Sequence, residues 1–237
     1  MPQKPIVHDY FYADGPKTYE WPLPVEPKQT KLPLPDTFLA HKQLDSRTVA
    51  DLMFSKSLRP KGAVSRKVLS WLKPYTPHSL VAFEENAWVL FKHKSKRNEV
   101  SKHGNAILIA ADRSVPKEIA GFPIADHPEF FEFVTLFKNI LGLIPPTGGI
   151  WRGDKPLGRL ATNEMHWGGQ RMEPWINSLV IYILAAGDVL LLAPDGRLGC
   201  WNHGAVNPQS RYTLVTQIST EEFLTQLKEE LGVVEDG

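Results

Sequence analysis

Four side chains able to do chemistry fall in one stretch of this 237-residue chain: Asp188, Asp195, Cys200 and His203 all lie between Asn177 and Gly204. A cysteine beside a histidine base can form an activated nucleophile. The spacing argues against it here. Residues three apart in a strand point to opposite faces, so Cys200 and His203 diverge if this run is extended. Cys200 precedes Trp201 in an apolar run and reads as a half-buried, inert thiol. Asp188 follows Gly187, and Asp195 sits in Pro194-Asp195-Gly196, where Asp serves by bonding nearby backbone N–H groups. The eight histidines are scattered and form no H-x-H or H-x-x-x-H pair, so no metal site is expected. No nucleophile elbow, dinucleotide fingerprint or P-loop occurs. The residues therefore predict no catalytic group and no cofactor. An enzyme of unrecognised class using His166, Asp188 or His203 is the remaining catalytic alternative, should two of them converge.

Two groups of residues suit binding better. Trp151, Trp167, Trp175 and Trp201 crowd into the C-terminal half alongside Tyr182. Tryptophan brings a large apolar body and one donor, which suits it to anchor an interface or fill a core. The loops that carry the first two also hold Arg152, Asp154 and Arg171, so Trp151, Arg152, Asp154, Trp167 and Arg171 are the candidate partner contacts. The second group is basic: Lys92, Lys94, Lys96, Arg97 and Lys102, against the single acid Glu99. If the strand before it continues, Lys92, Lys94 and Lys96 share one face. That would make a phosphate-contacting finger, helped by Arg59 to Lys67. No aromatic residue is interleaved, and the solvated tip of a long hairpin explains the lysines equally.

These residues need a scaffold. Asn177–Gly204 reads as a buried antiparallel meander of three short runs: Leu179–Leu184, Val189–Leu192 and Arg197–Trp201. Gly187-Asp188 and Pro194-Asp195-Gly196 separate the runs, and Asn202-His203-Gly204 ends the last. Further strands are predicted at Leu80–Phe83, Ala87–Phe91, Ala106–Ala111 and Leu214–Ile218, with short ones within Ile150–Leu160 and Glu164–Trp167. Helices are predicted over Asp45–Leu58, over Ser65–Leu72 with Ser65 as cap, and over Pro128–Leu141 between Asp126 and Gly142. The last helix, Ser219–Leu231, carries the Ser-x-x-Glu of a capping box, with Phe223, Leu224, Leu227 and Leu231 as its inner face. The N-terminal 35 residues hold eight prolines and five aromatics, the pattern of an extended arm lying on a body.

Composition sets the outer limits. With 42% hydrophobic residues the chain can bury a real core. A formal charge of +1 favours neither nucleic acid nor an acidic membrane. One cysteine precludes an intrachain disulfide and fits a reducing compartment. No secretory signal or membrane-spanning run is visible, so a cytoplasmic location is expected. The predicted organisation is an arm (1–35), a helical pair with a β-hairpin (36–115) and an α+β core (116–237), or one continuous domain over 36–237.

Within Ile150–Leu231 the chain resembles the SMI1/KNR4-like (SUKH) superfamily. The resemblance rests on the loop Pro145-Pro146-Thr147-Gly148-Gly149, the Trp- and Gly-rich segment after it, the order Gly-Asp, apolar strand, Asp-Gly, strand, Trp-x-His through Asn177–Gly204, and the closing helix with Phe223-Leu224. It leaves roughly the first 115 residues outside it. It implies an α+β fold, an antiparallel sheet flanked by helices, and a non-catalytic role. Many bacterial members are immunity proteins that bind a cognate toxin or effector. The expected function is therefore toxin inhibition by steric occlusion, with a nucleic-acid-binding accessory role as the alternative.

Overall fold

The computed structural model describes residues 17–20, 34–54, 59–83, 86–96, 104–112, 114–119, 121–138, 140–142, 158–159, 175, 177–184, 188–206 and 213–233. It is an α+β fold in which every paired strand is antiparallel. The strands divide into two sheets. The first holds β1 (Lys17–Glu20), β2 (Tyr75–Phe83), β3 (Asn86–His93), β4 (Ala106–Ala110) and β5 (Leu141–Gly142), in that order across the sheet. The second holds β6 (Gly158–Arg159), β7 (Leu179–Ile183), β8 (Val189–Leu192), β9 (Leu198–Val206) and β10 (Thr213–Ile218), again in chain order. The helices are α1 (Asp36–Leu39), α2 (Ser46–Met53), α3 (Ala63–Trp71), α4 (Pro128–Phe137) and α5 (Thr220–Leu231). No helix among the described residues is long and apolar enough to cross a membrane.

Period-2 alternation sorts each sheet into two faces. Leu80, Val89, Phe91, Ile107 and Ile109 from the first sheet join Leu179, Leu190, Leu192, Leu198 and Ile218 from the second in one core with the helices. Phe223 of α5 is its hub. Its ring meets Phe130 and Phe133 of α4 edge-on, with centroids 5.8 Å apart in each case, a favourable quadrupolar geometry. The opposite faces are buried too, as separate clusters: Val81, Trp88, Leu90 and Leu108 on the first sheet, and Trp175, Val180, Val189, Leu191 and Ala193 on the second.

The central meander forms as its punctuation predicts. The Pro194-Asp195-Gly196 turn closes with Gly196 N–H donating to the Ala193 carbonyl at 2.9 Å, and Gly196 takes φ +87°, open to glycine at no steric cost. The capping box at α5 is complete: Ser219 Oγ accepts from Glu222 N–H at 3.1 Å, and the Glu222 carboxylate accepts from Ser219 N–H at 2.6 Å. Gly232 ends α5 in the left-handed conformation.

Several predicted limits move. The third run of the meander does not stop at Asn202-His203-Gly204; β9 continues through them to Val206, paired with Thr213 of β10. Helix α2 ends at Met53 rather than Leu58; residues 55–58 lie outside the described set. Helix α3 begins at Ala63 after Gly62, so Ser65 is not its cap but a buried residue inside it. The N–H groups leading into it and in its first turn are satisfied by side chains of α4. Glu132 of α4 accepts from Lys61 N–H (2.8 Å) and Gly62 N–H (2.9 Å), and Glu129 accepts from Val64 N–H (2.9 Å). Helix α4 is preceded by His127, not capped by Asp126, and ends at Phe137. Leu141 and Gly142 leave it to pair with Leu108 and Ile107, so Gly142 is a strand residue rather than a helix stop. Pro77 lies inside β2, at the register break that leaves His78 as the extra residue of a bulge; a bulge is where a sheet tolerates proline.

Candidate binding face on the second sheet

The sequence-predicted contacts Trp151, Arg152, Asp154, Trp167 and Arg171 lie outside the described residues, as do Arg97, Lys102 and His166. The basic residues that are described do not form the predicted row. Strand β3 ends at His93, and Lys94–Lys96 turn as a 3-10 segment, so the alternation needed for one cationic face is broken. Lys92 is only 5% exposed, with Nζ 2.9 Å from His78 Nε2. It shares the face of β3 that carries Trp88 and Leu90, opposite the main core, and is covered there, which corrects the expectation of a solvated tip. Lys94 and Lys96 are exposed, and Lys94 Nζ donates to the Lys73 carbonyl at 2.8 Å.

The chemistry candidates separate similarly. Cys200 sits on β9 opposite Leu190, half-buried against the core. Burial pushes its thiol above the usual range, and the negative charge of Asp188 pushes in the same direction. A thiol held protonated in this way is a poor nucleophile. Asp195 serves its turn. Its carboxylate accepts from Arg197 Nε at 2.8 Å and from Arg197 N–H at 3.1 Å, and the Arg197 side chain holds it below the ordinary carboxylate range. Among the described residues no group of three His, Cys, Asp or Glu side chains could hold a metal ion.

What the fold does bring together is an aromatic and cationic patch on the outer face of the second sheet. Alternation along β9 places Gly199 and Trp201 on that face, paired with Leu191 and Val189 of β8. On the other side they pair with Gln217 and Val215 of β10. The benzo edge of Trp175 reaches over Gly199. A β-carbon built there would stand 2.6 Å and 2.8 Å from two Trp175 ring carbons and 2.9 Å from Val215 Cγ1, so only glycine admits the indole this close. Arg197, at the end of the turn, holds its guanidinium 6.0 Å from the Trp175 ring centroid, within cation–π range. The salt bridge to Asp195 fixes its direction, although its side chain is 42% exposed. Trp175 is buried, whereas Trp201, Val215 and Ile183 are only partly covered. Trp201 Nε1 is buried with no acceptor among the described residues.

Arg197 and Gly199 are the members of this patch that sequence reasoning passes over. Pro194-Asp195-Gly196 reads as a turn, and that reading absorbs the arginine after it. The available signal is the Asp195–Arg197 spacing at a hairpin end, which allows a local salt bridge. Nothing local marks Gly199 as the floor under an indole, because Trp175 reaches it through tertiary structure. No family model, no curated protein and no solved structure matches the chain.

Proposed function

We propose that this is a protein-binding protein of the immunity type, which neutralises a cognate bacterial toxin or effector by occluding its active site. The observation that carries the reading is the outer face of the second sheet: partly covered Trp201 packed against the cluster of the buried Trp175, with Arg197 over the Trp175 ring. Trp and Arg are the residue types that dominate protein interfaces energetically, and a rigid sheet presents them with little ordering cost. Trp151, Arg152, Asp154, Trp167 and Arg171 precede this face in the chain and remain proposed contacts. The SUKH resemblance supplies the class of partner. Charged groups such as Arg197 would steer encounter and fix register rather than dominate affinity.

The direct test is co-purification of the full chain with the product of the adjacent gene, with protection of cells expressing that product as the functional readout. Loss of an interface hot spot costs about 2 kcal/mol or more, roughly thirtyfold in Kd. Arg197→Ala and Trp201→Ala should each weaken capture by that order, with circular dichroism reporting an intact fold. Failure to bind or protect against any neighbouring toxin would refute the reading. Binding indifferent to both substitutions would remove this face from it.

A further inference from the structure

We propose that two copies of this chain pair edge to edge through β10, joining their second sheets across a two-fold axis. A strand at the edge of a sheet carries a row of backbone N–H and C=O groups directed away from its one neighbour, and only another extended backbone satisfies such a row fully. Natural edges are therefore kept short or charged. Three of the four edges among the described residues follow that rule. Strand β1 begins with Lys17 and ends with Glu20, while β5 and β6 have two residues each, one of the latter being Arg159. Strand β10 departs from it. Its six residues, Thr-Leu-Val-Thr-Gln-Ile, include no charge and no proline and are rich in β-branched side chains.

The register against β9 breaks between Thr213 and Val215, but Val215–Ile218 pairs without interruption with Trp201–Leu198. That portion is a regular ladder on its inner side, and Thr216 and Gln217 are exposed. Among the described residues no strand pairs with its outer side.

A second copy is the occupant these residues fit. A two-fold axis makes the contact isologous, so each side chain meets its own kind or a near neighbour. Any charge on the strand would face its own copy and oppose pairing. With the axis at Thr216, that residue faces its counterpart and Val215 faces Gln217, and no charged pair results. Ser219 and Thr220, which follow the strand, are also uncharged, and the chain's formal charge of +1 gives little repulsion between copies. The contact is independent of the toxin-binding reading, which it neither requires nor supplies.

Sedimentation velocity of the full chain, from about 1 to 200 μM, tests the pairing. The expected result is a reversible monomer–dimer equilibrium that Thr216→Lys shifts at least tenfold toward monomer, with an unchanged far-ultraviolet circular dichroism spectrum. Should Thr216→Lys disturb the fold, a second pair of variants reads the geometry directly. In a Cys200→Ser background, Thr216→Cys should give a disulfide-linked dimer under mild oxidation, whereas Thr220→Cys should not. Monomer at every concentration, a dimer indifferent to Thr216→Lys, or equal cross-linking from both cysteines would overturn the proposal. So would a monomeric chain whose capture of a toxin is abolished by Thr216→Lys, because the edge would then belong to the partner's strand.

Discussion

Gly104→Ala should be among the most destabilising single-methyl changes in this protein, and Gly196→Ala measures why. Both glycines have similar positive φ, +81° at Gly104 and +87° at Gly196. An L-residue in that conformation costs roughly 1–2 kcal/mol wherever it occurs. The surroundings differ. A β-carbon at Gly196 would meet only the His127 ring, at 3.5 Å, an ordinary contact. At Gly104 it would stand 1.7 Å from the Gly232 carbonyl oxygen and 2.8 Å from its carbon, both backbone atoms at the end of α5. No rotamer change relieves that overlap. Either the 104 loop withdraws, straining the bond from the Tyr75 hydroxyl to the Gly104 carbonyl, or the end of α5 lifts with Leu231, which is fully buried. Overpacking of this kind adds about 1–3 kcal/mol, so Gly104→Ala should cost about 2–5 kcal/mol in all and Gly196→Ala about 1–2 kcal/mol. Urea unfolding followed by far-ultraviolet circular dichroism gives both values, provided the denaturant slope is unchanged. Equal destabilisation of the two variants would refute the reasoning, because it would mean that α5 does not dock against the 104 loop as described.

Two further predictions concern helix ends. Glu132→Gln should lower stability by about 1 kcal/mol, the usual scale for losing a helix cap, and hydrogen exchange should quicken first at Lys61 and Gly62. Burial pushes the Glu132 carboxyl up, but the Lys61 and Gly62 N–H groups, with Ser65 and the Arg66 charge, together leave the group below its ordinary value. A carboxylate lowered by folding stabilises above its unfolded value, near 4.5, and that contribution is lost as pH falls through the lower folded value. The wild-type and Glu132→Gln stabilities should therefore converge as pH falls through that lower folded value; a gap that persists in acid would count against the cross-helix cap. Ser219→Ala should cost about 1 kcal/mol, read as a lower urea midpoint, because it removes the acceptor for Glu222 N–H. No change would mean that α5 holds its start by packing alone.

The sequence by itself determined the elements whose signals are local. The capping box at Ser219, the apolar spacing of Phe223, Leu227 and Leu231, and the Pro194-Asp195-Gly196 turn act over a few residues, so α5 and the β7–β8–β9 meander were legible, as was the α+β class. Tertiary structure decided what depends on partners distant in the chain. Helix α3 starts two residues early because Glu129 and Glu132, far along the chain, supply its cap. Leu141 and Gly142 change from helix to strand because Leu108 and Ile107 offer a ladder. Lys92 looks solvated in a run of cations, yet the bulge at His78 brings an imidazole nitrogen to its ammonium. The candidate face follows the same division. Its tryptophans could be picked out by residue type, but the reach of Trp175 over Gly199 beneath Arg197 could not. Spacing in sequence sets which side of a strand a residue occupies, whereas only the packed fold sets what lies against it.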